Sequence, residues 1–223
     1  MTTLQSIALG ALQGLAEFLP VSSSGHLLLA RTLMGLGEVP VLYDVLLHVA
    51  TLLAVLIVFR LRIATVFAAL WRGLTRRPAE AEAEDRRVAL YVLTATAVTA
   101  VVGLLLSSLE EPLLARPRLL SLAFLLTALI LAATKLFRDE KSYAQIGLVG
   151  ALLVGLAQGV GVLPGISRSG ITIAAALACG LQREKAGELS FLLAIPAVLG
   201  ALVLQLKDAG SLFAQVDAVS LGA

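Results

Sequence analysis

The residues able to do chemistry gather in two short stretches. One of them, Leu163-Pro164-Gly165-Ile166-Ser167-Arg168-Ser169-Gly170-Ile171-Thr172, sets a guanidinium, several hydroxyls and two glycines inside a long apolar tract. No other basic residue lies between Lys141 and Arg183. A cation at membrane depth is costly unless something negative meets it, so an intramembrane arginine points to a functional site. The glycines let backbone come close to a ligand. Pro164 suits a chain break ahead of a new helix. Guanidinium, hydroxyls and a helix N-terminus together make a cradle for an oxyanion or a phosphate. The plainer alternative is a kinked membrane helix with a snorkelling arginine. It fits poorly, because Arg168 lies far from either end of its apolar tract.

The second stretch is near the start of the chain. Glu17 is the one carboxylate in the first apolar segment, and Gln13 lies a turn earlier on the same helical face. Pro20-Val21-Ser22-Ser23-Ser24-Gly25-His26 follows. If the two stretches meet, Glu17, Ser22, Ser23, Ser24 and His26 face Ser167, Arg168, Ser169 and Thr172. An acid, hydroxyls, an imidazole and an arginine suit phosphoryl transfer, as base, nucleophile, leaving-group acid and charge clamp. Two structural readings compete: Glu17 and Arg168 pair only to hold the stretches together, and His26 caps a helix or bonds backbone. His48, a turn after Asp44, reads as structural. GxxxxGK[ST] is absent, as is any His/Cys cluster with zinc spacing.

The elements that must position these groups are membrane helices. Of 223 residues, 59% are hydrophobic and only 14% charged, and the mean hydropathy is +0.96. A soluble domain of this size cannot hide so much apolar surface, so the chain reads as an all-α, polytopic integral membrane protein in a single membrane domain, 1–223. The net charge of +2 says little. The lone Cys179 cannot form an internal disulfide. Met1-Thr2-Thr3-Leu4 lacks the basic start of a signal peptide, so the first apolar segment is expected to be retained.

Residues 4–19 and 27–36 are short apolar runs around the serine turn, and they predict a re-entrant hairpin. Backbone of that kind is tolerated at membrane depth only inside protein or around a cavity. Spans are expected at 43–59, 88–106, 119–134 and 189–206. A second re-entrant hairpin is expected over 146–181. Residues 60–87 read as a charged loop, with seven arginines against Glu80, Glu82, Glu84 and Asp85. Placing that loop in the cytoplasm also puts Lys135, Arg138, Lys141, Arg183 and Lys185 inside, in keeping with the positive-inside rule. Arg31, Arg116, Arg118 and Lys207 fall outside. The first hairpin then enters from the outer face and the second from the cytoplasm.

An internal repeat agrees with that inversion. Gln13-Gly14, Leu19-Pro20 and Ser22 to Gly25 parallel Gln158-Gly159, Leu163-Pro164 and Ser167 to Gly170, allowing a one-residue gap. Asp44 to Ala50 parallels Glu188 to Ala194. Inverted-topology repeats place their site where the broken helices meet. Repeat one covers about 1–140 and a partial repeat two about 141–223. The second repeat lacks two spans present in the first, so the expectation is a C-terminally truncated chain missing about two helices. A family with a naturally smaller second half is the competing reading.

At these residues a resemblance emerges. Gln13-Gly-Leu-Ala-Glu17 resembles the [E/Q]xxxE motif of the bacterial undecaprenyl-diphosphatase family, also called the bacitracin-resistance family. Pro164-Gly-Ile-Ser-Arg-Ser-Gly-Ile-Thr172 matches its PGxSRSxxT motif, and Pro20 to His26 is similar to its serine–histidine turn. Phe191 to Pro196 also reads like the family. The likeness runs from the N-terminus to about Lys207.

The resemblance implies hydrolysis of undecaprenyl diphosphate to the monophosphate and inorganic phosphate. That reaction recycles the lipid carrier for peptidoglycan and other envelope polymers and gives bacitracin resistance. It implies a multi-pass protein of the bacterial cytoplasmic membrane with its site opening to the outer, periplasmic side. Glu17 would be the acid/base or metal-binding residue, Arg168 the diphosphate clamp and Ser23 the favoured nucleophile. His26 would assist proton transfer, or itself be the nucleophile. Gln13, Ser22, Ser24, Ser167, Ser169 and Thr172 would complete the substrate-binding set. The first motif position is glutamine, which cannot be a base, so Glu17 must carry that load. The implied cofactor is Mg²⁺ or Ca²⁺, hard ions held by a carboxylate and the diphosphate. The expected partners are the polyprenyl diphosphate and membrane lipid, with a homodimer compatible and no nucleic acid.

Three other functions compete. A prenyl-phosphate transporter or flippase would use Arg168 without a nucleophile. An acid-phosphatase-like lipid phosphatase needs a histidine six residues after the motif arginine, where this chain has Ala174. A structural membrane scaffold is the third reading, and Arg168 opposite Glu17 argues weakly against it.

Overall fold

The computed structural model describes residues 1–37, 39, 41–75, 82–109 and 116–220, the side chains of 41, 42 and 205–220 excepted. Among them are nine α-helices: α1 (Thr3–Phe18), α2 (Ser23–Leu33), α3 (Val41–Val58), α4 (Arg60–Thr75), α5 (Ala83–Leu106), α6 (Pro117–Ala133), α7 (Tyr143–Val160), α8 (Arg168–Ala178) and α9 (Arg183–Ser220). The only β pairing among the described residues is one isolated bridge, Lys141 with Leu181. The all-α membrane class therefore holds.

Length decides which helices cross the bilayer. Four are long and apolar enough: α5, α6, α7 and the Arg183–Leu204 part of α9. The α3/α4 pair passes the same test as one bent unit, making five. By contrast α1, α2 and α8, with 16, 11 and 11 residues, are too short to cross alone. The order helix–turn–short helix–long helix thus occurs twice, as α1–α2–α3 and α7–α8–α9. In the second unit only α8 is short, since α7 reaches spanning length.

The reading of 60–87 as a charged loop is corrected. Residues 60–75 form α4, bent by 75° from α3. The run of arginines conceals an apolar face at helical spacing: Ala69 is 1% exposed, and Ile63 and Val66 pack against the main core. Arg62 does not need solvent, because Nε donates to Glu188 Oε1 at 2.9 Å and Nη1 bonds Asp85. Lys185 meets Glu84 at 2.5 Å and the Tyr143 hydroxyl donates to the Lys185 carbonyl at 3.0 Å. This polar network ties α4, α5, α7 and α9 together at one end. Of the rest of that stretch, 83–87 open α5 and 76–81 lie outside the described residues, as do 110–115 of the short polar stretch that the sequence predicts at 107–118.

The core sits between α5 and α7 and extends onto α8 and α9, through Val88, Tyr91, Ala95, Tyr143, Val154, Leu177, Leu189 and Leu193. α5 and α7 approach very closely because Gly155 has no side chain: a Cβ there would stand 2.7 Å from the Ala95 carbonyl oxygen. Large apolar side chains also point outward, including Leu4, Leu33, Leu61, Leu105 and Leu136. Such a surface suits lipid rather than water as its solvent.

Candidate active site

Two tight turns build the site. In the first, α1 ends at Phe18 and α2 begins at Ser23. Ser22 between them holds φ +66°, a left-handed conformation costly for a residue with a Cβ. It is stabilised locally: the Ser22 carbonyl accepts from the His26 backbone N–H at 3.2 Å and engages His26 Nδ1 at 2.8 Å. No side chain caps α2, so its first N–H groups are left for a ligand.

In the second turn the chain leaves α7 at Val160 and enters α8 at Arg168. Gly165 takes φ +84°, and a Cβ there would lie 2.7 Å from Ala123 Cβ. Thr127 of α6 clamps this turn, donating to the Gly165 carbonyl at 3.0 Å and accepting from the Ser167 N–H at 3.1 Å. Ser167 then caps α8, its Oγ accepting from the Gly170 N–H at 3.1 Å. A Cβ on Gly170 would lie 3.2 Å from the Pro20 carbonyl oxygen, so the two turns touch.

Where they touch, Glu17 is shared. Arg168 Nη2 donates to Glu17 Oε1 at 2.5 Å. Ser23 Oγ donates to Glu17 Oε2 at 2.5 Å, and Gln13 Nε2 reaches the same oxygen at 3.2 Å. The Glu17 and Arg168 side chains are 11% and 24% exposed, so this ion pair is largely withdrawn from water, where charge interactions strengthen. The arrangement leaves the Ser23 proton aimed at a carboxylate beside a fixed positive charge.

These groups open onto a cavity of about 370 Å³. Its wall includes Glu17, Ser22, Ser23, Ser24, Ser167, Arg168 and Ser169. Other sequence-predicted residues lie elsewhere. Thr172 is fully buried and donates to the Arg168 carbonyl at 2.6 Å. Gln13 is fully buried behind Glu17. His26 is not part of the cavity wall, and its ring packs edge-on against Phe124 at 5.1 Å.

The cavity also holds polar residues that sequence reasoning missed. Arg31 and Asp44 form a two-point ion pair in its wall. His48 lines it too, with Nδ1 2.8 Å from the Asp44 carbonyl oxygen. Gln158 is 1% exposed; its Nε2 donates to Thr99 Oγ1 at 3.1 Å, and its Oε1 has no partner among the described residues. The Thr99 hydroxyl proton is already spent on backbone carbonyls of Ala95 and Gly155, which fixes this amide orientation. The parallel of Gln158 with Gln13 in the repeat was the available signal.

A hard cation would find a partial donor set here. Among the described residues no three His, Cys, Asp or Glu side chains gather into a cage. Mg²⁺ is usually held by one or two carboxylates plus substrate phosphate oxygens, with waters retained. Glu17, with the unpartnered carbonyl oxygen of Gln158 in the same cavity wall, fits that mode when a diphosphate is present.

Comparison with known proteins gives a consistent likeness. The family model for bacitracin resistance protein BacA matches residues 6–222. The chain is 48% identical over 221 residues to an undecaprenyl-diphosphatase of Treponema denticola, covering 99% of this chain and 81% of that one. It is 42% identical to one of Desulfatibacillum aliphaticivorans, covering 95% and 80%. It is 41% identical to one of Carboxydothermus hydrogenoformans, covering 93% and 75%.

Proposed function

The chain belongs to the bacitracin resistance protein BacA family, and from that premise we propose that it hydrolyses undecaprenyl diphosphate to undecaprenyl phosphate and inorganic phosphate. The observation that carries the mechanism is the shared carboxylate, with Glu17 bonded at once to Arg168 and to Ser23. Relatives named undecaprenyl-diphosphatase favour this reading over a transporter.

Ser23 Oγ gives its proton to Glu17 and attacks the terminal phosphorus. The bond from that phosphorus to the bridging oxygen breaks, and its electron pair stays on the lipid phosphate. Arg168 and the N-termini of α2 and α8 hold the oxygens where charge builds up, and Ser167 and Ser169 add hydroxyl donors. Water then releases phosphate from Ser23. Bound through Glu17, Gln158 and the diphosphate, Mg²⁺ or Ca²⁺ would supply charge neutralisation at the phosphate oxygens.

The apolar side of the cavity, with Val45, Val49, Ala197 and Val198, receives the first prenyl units. The two helix–turn–helix units are the inverted halves, about 1–140 and 141–223, and their junction opens to the periplasmic face. The arginine- and lysine-rich segments on the opposite side support that orientation. The test is trapping: acid quenching of turnover leaves a phosphoserine on the Ser23 peptide, and Ser23→Ala abolishes both the adduct and phosphate release.

A further inference from the structure

We propose that Arg31 is a second phosphate anchor of this cavity, taking the lipid-bearing phosphate of a prenyl diphosphate while Arg168 takes the terminal one. The inference deepens the diphosphatase reading above and rests on it for the class of ligand.

Arg31 sits in the last turn of α2 and Asp44 in the first turn of α3. A cation near a helix C-terminus and an anion near an N-terminus are each favoured where they stand. That preference requires them neither to meet nor to face a cavity, and here they do both. Arg31 Nη1 donates to Asp44 Oδ2 at 3.0 Å and Nη2 bonds the other carboxylate oxygen. Both residues line the wall that also holds Glu17, Ser23 and Arg168. Among the described residues, Arg31 and Arg168 are the arginines and lysines of that wall.

Position decides which phosphate each arginine meets. With the terminal phosphorus at Ser23 Oγ, the second phosphorus lies between Ser23 and the prenyl chain. Val45 and Val49, placed against the first prenyl units, come directly after Asp44 on the same helix and line the same wall. Arg31, bonded to Asp44, therefore stands where the wall passes from polar to apolar. That is the place of the phosphate that carries the lipid.

The chemistry fits an exchange of anions. A guanidinium offers a carboxylate the same two-pronged fork that it offers a phosphate. In the free site Asp44 fills that fork and keeps a mostly buried cation from being stranded. The Asp44 side chain is 30% exposed against 16% for Arg31, so Asp44 is the partner that turns to water when a phosphate arrives. Arg31 also has donor capacity that Asp44 does not use, since its Nε is buried without a partner among the described residues. Hydrolysis then leaves its two products in two places, inorganic phosphate at Arg168 and prenyl monophosphate at Arg31.

The experiment is calorimetry on the whole chain in detergent micelles with three probes: a farnesyl diphosphate analogue with a methylene bridge between its phosphorus atoms, farnesyl monophosphate, and inorganic phosphate. Arg31→Gln is expected to weaken binding of the first two about tenfold and to leave inorganic phosphate unchanged. Asp44→Asn removes the competing anion and is expected to tighten the first two. Because Arg31→Gln leaves Asp44 without its partner, Arg31→Gln/Asp44→Asn repeats the measurement in a chain with no stranded charge. Parental affinity for the bridged analogue in the folded double variant overturns the proposal. So does an equal loss for inorganic phosphate, which would make Arg31 a source of general attraction and not a subsite. Phosphate release from undecaprenyl diphosphate is measured alongside. A parent that binds the analogue through Arg31 and releases no phosphate fails the diphosphatase reading alone. An active parent whose affinities are indifferent to Arg31→Gln defeats the subsite alone.

Discussion

Arg168 Nη2 stands 2.5 Å from Glu17 Oε1, joining residues 151 apart in the chain. Neither group has another charged partner among the described residues. Each is the lone charge of its apolar stretch, so each would be stranded without the other. The pair holds the two turns together, and it also sets the charge that an incoming diphosphate meets.

That relationship predicts strong coupling. Arg168→Gln leaves Glu17 buried and uncompensated, and breaking such a pair by removing one partner costs about 3–5 kcal/mol. The double variant Glu17→Gln/Arg168→Gln should be more stable than Arg168→Gln alone. Unfolding in mixed micelles measures this, and strictly additive losses would show that the two side chains do not interact.

Glu17→Gln keeps the shape of the carboxyl but removes its negative charge and its basicity. Turnover should fall by about 10²–10⁴-fold, the range of general acid–base catalysis. Single-turnover kinetics separate this loss of chemistry from the weaker metal and substrate binding expected when the Glu17 charge is removed.

Gly165→Ala places a side chain at φ +84° and 2.7 Å from Ala123 Cβ. The strain alone is worth about 1–3 kcal/mol, and a lower unfolding temperature is expected together with lost activity, since Thr127 fixes this turn. Gly187→Ala in α9, where nothing lies within 4 Å, serves as the contrast. There a gain of about 0.5–1 kcal/mol is expected from better helix propensity.

Chelation should stop phosphate release, and Mg²⁺ or Ca²⁺ should restore it. Because the described residues offer no cage of three ligands, the ion should bind weakly to the free protein and more tightly with a diphosphate analogue. Calorimetry with and without the analogue reads this difference, and equal affinities would remove the ion from the substrate site.

The orientation is open to thiol labelling in a Cys179→Ala background. Gly37 and Arg138 are both exposed positions. An impermeant reagent outside intact cells should label Gly37→Cys and leave Arg138→Cys unmodified. The reverse pattern would place the cavity mouth on the cytoplasmic side.

The centre of the site was legible because its groups were anomalous where they stood. An arginine and a glutamate isolated in apolar runs, each beside a serine–glycine turn, could only be stabilised by meeting. The parallel of Gln13 with Gln158 gave the pairing of the two units. His48 and Asp44 were not legible in the same way. They sit at ordinary helical spacing inside an apolar span, and nothing in the sequence says which face of α3 lines a cavity and which meets lipid. His26 follows Ser23 by three residues, and its ring turns to Phe124 with Nδ1 on the Ser22 carbonyl oxygen, a placement that depends on the fold of the turn. Residues 60–75 were read as loop because arginines outweighed the apolar face beneath them, and the carboxylates that neutralise Arg62 come from elsewhere, including Glu188 far along the chain.

The most direct test is release of inorganic phosphate from undecaprenyl diphosphate by the purified chain, with Mg²⁺ or with EDTA, beside Arg168→Ala. The account predicts release by the parent, its loss with EDTA, and its loss in a folded Arg168→Ala. A parent that binds the lipid and moves it across a vesicle membrane without releasing phosphate would contradict it.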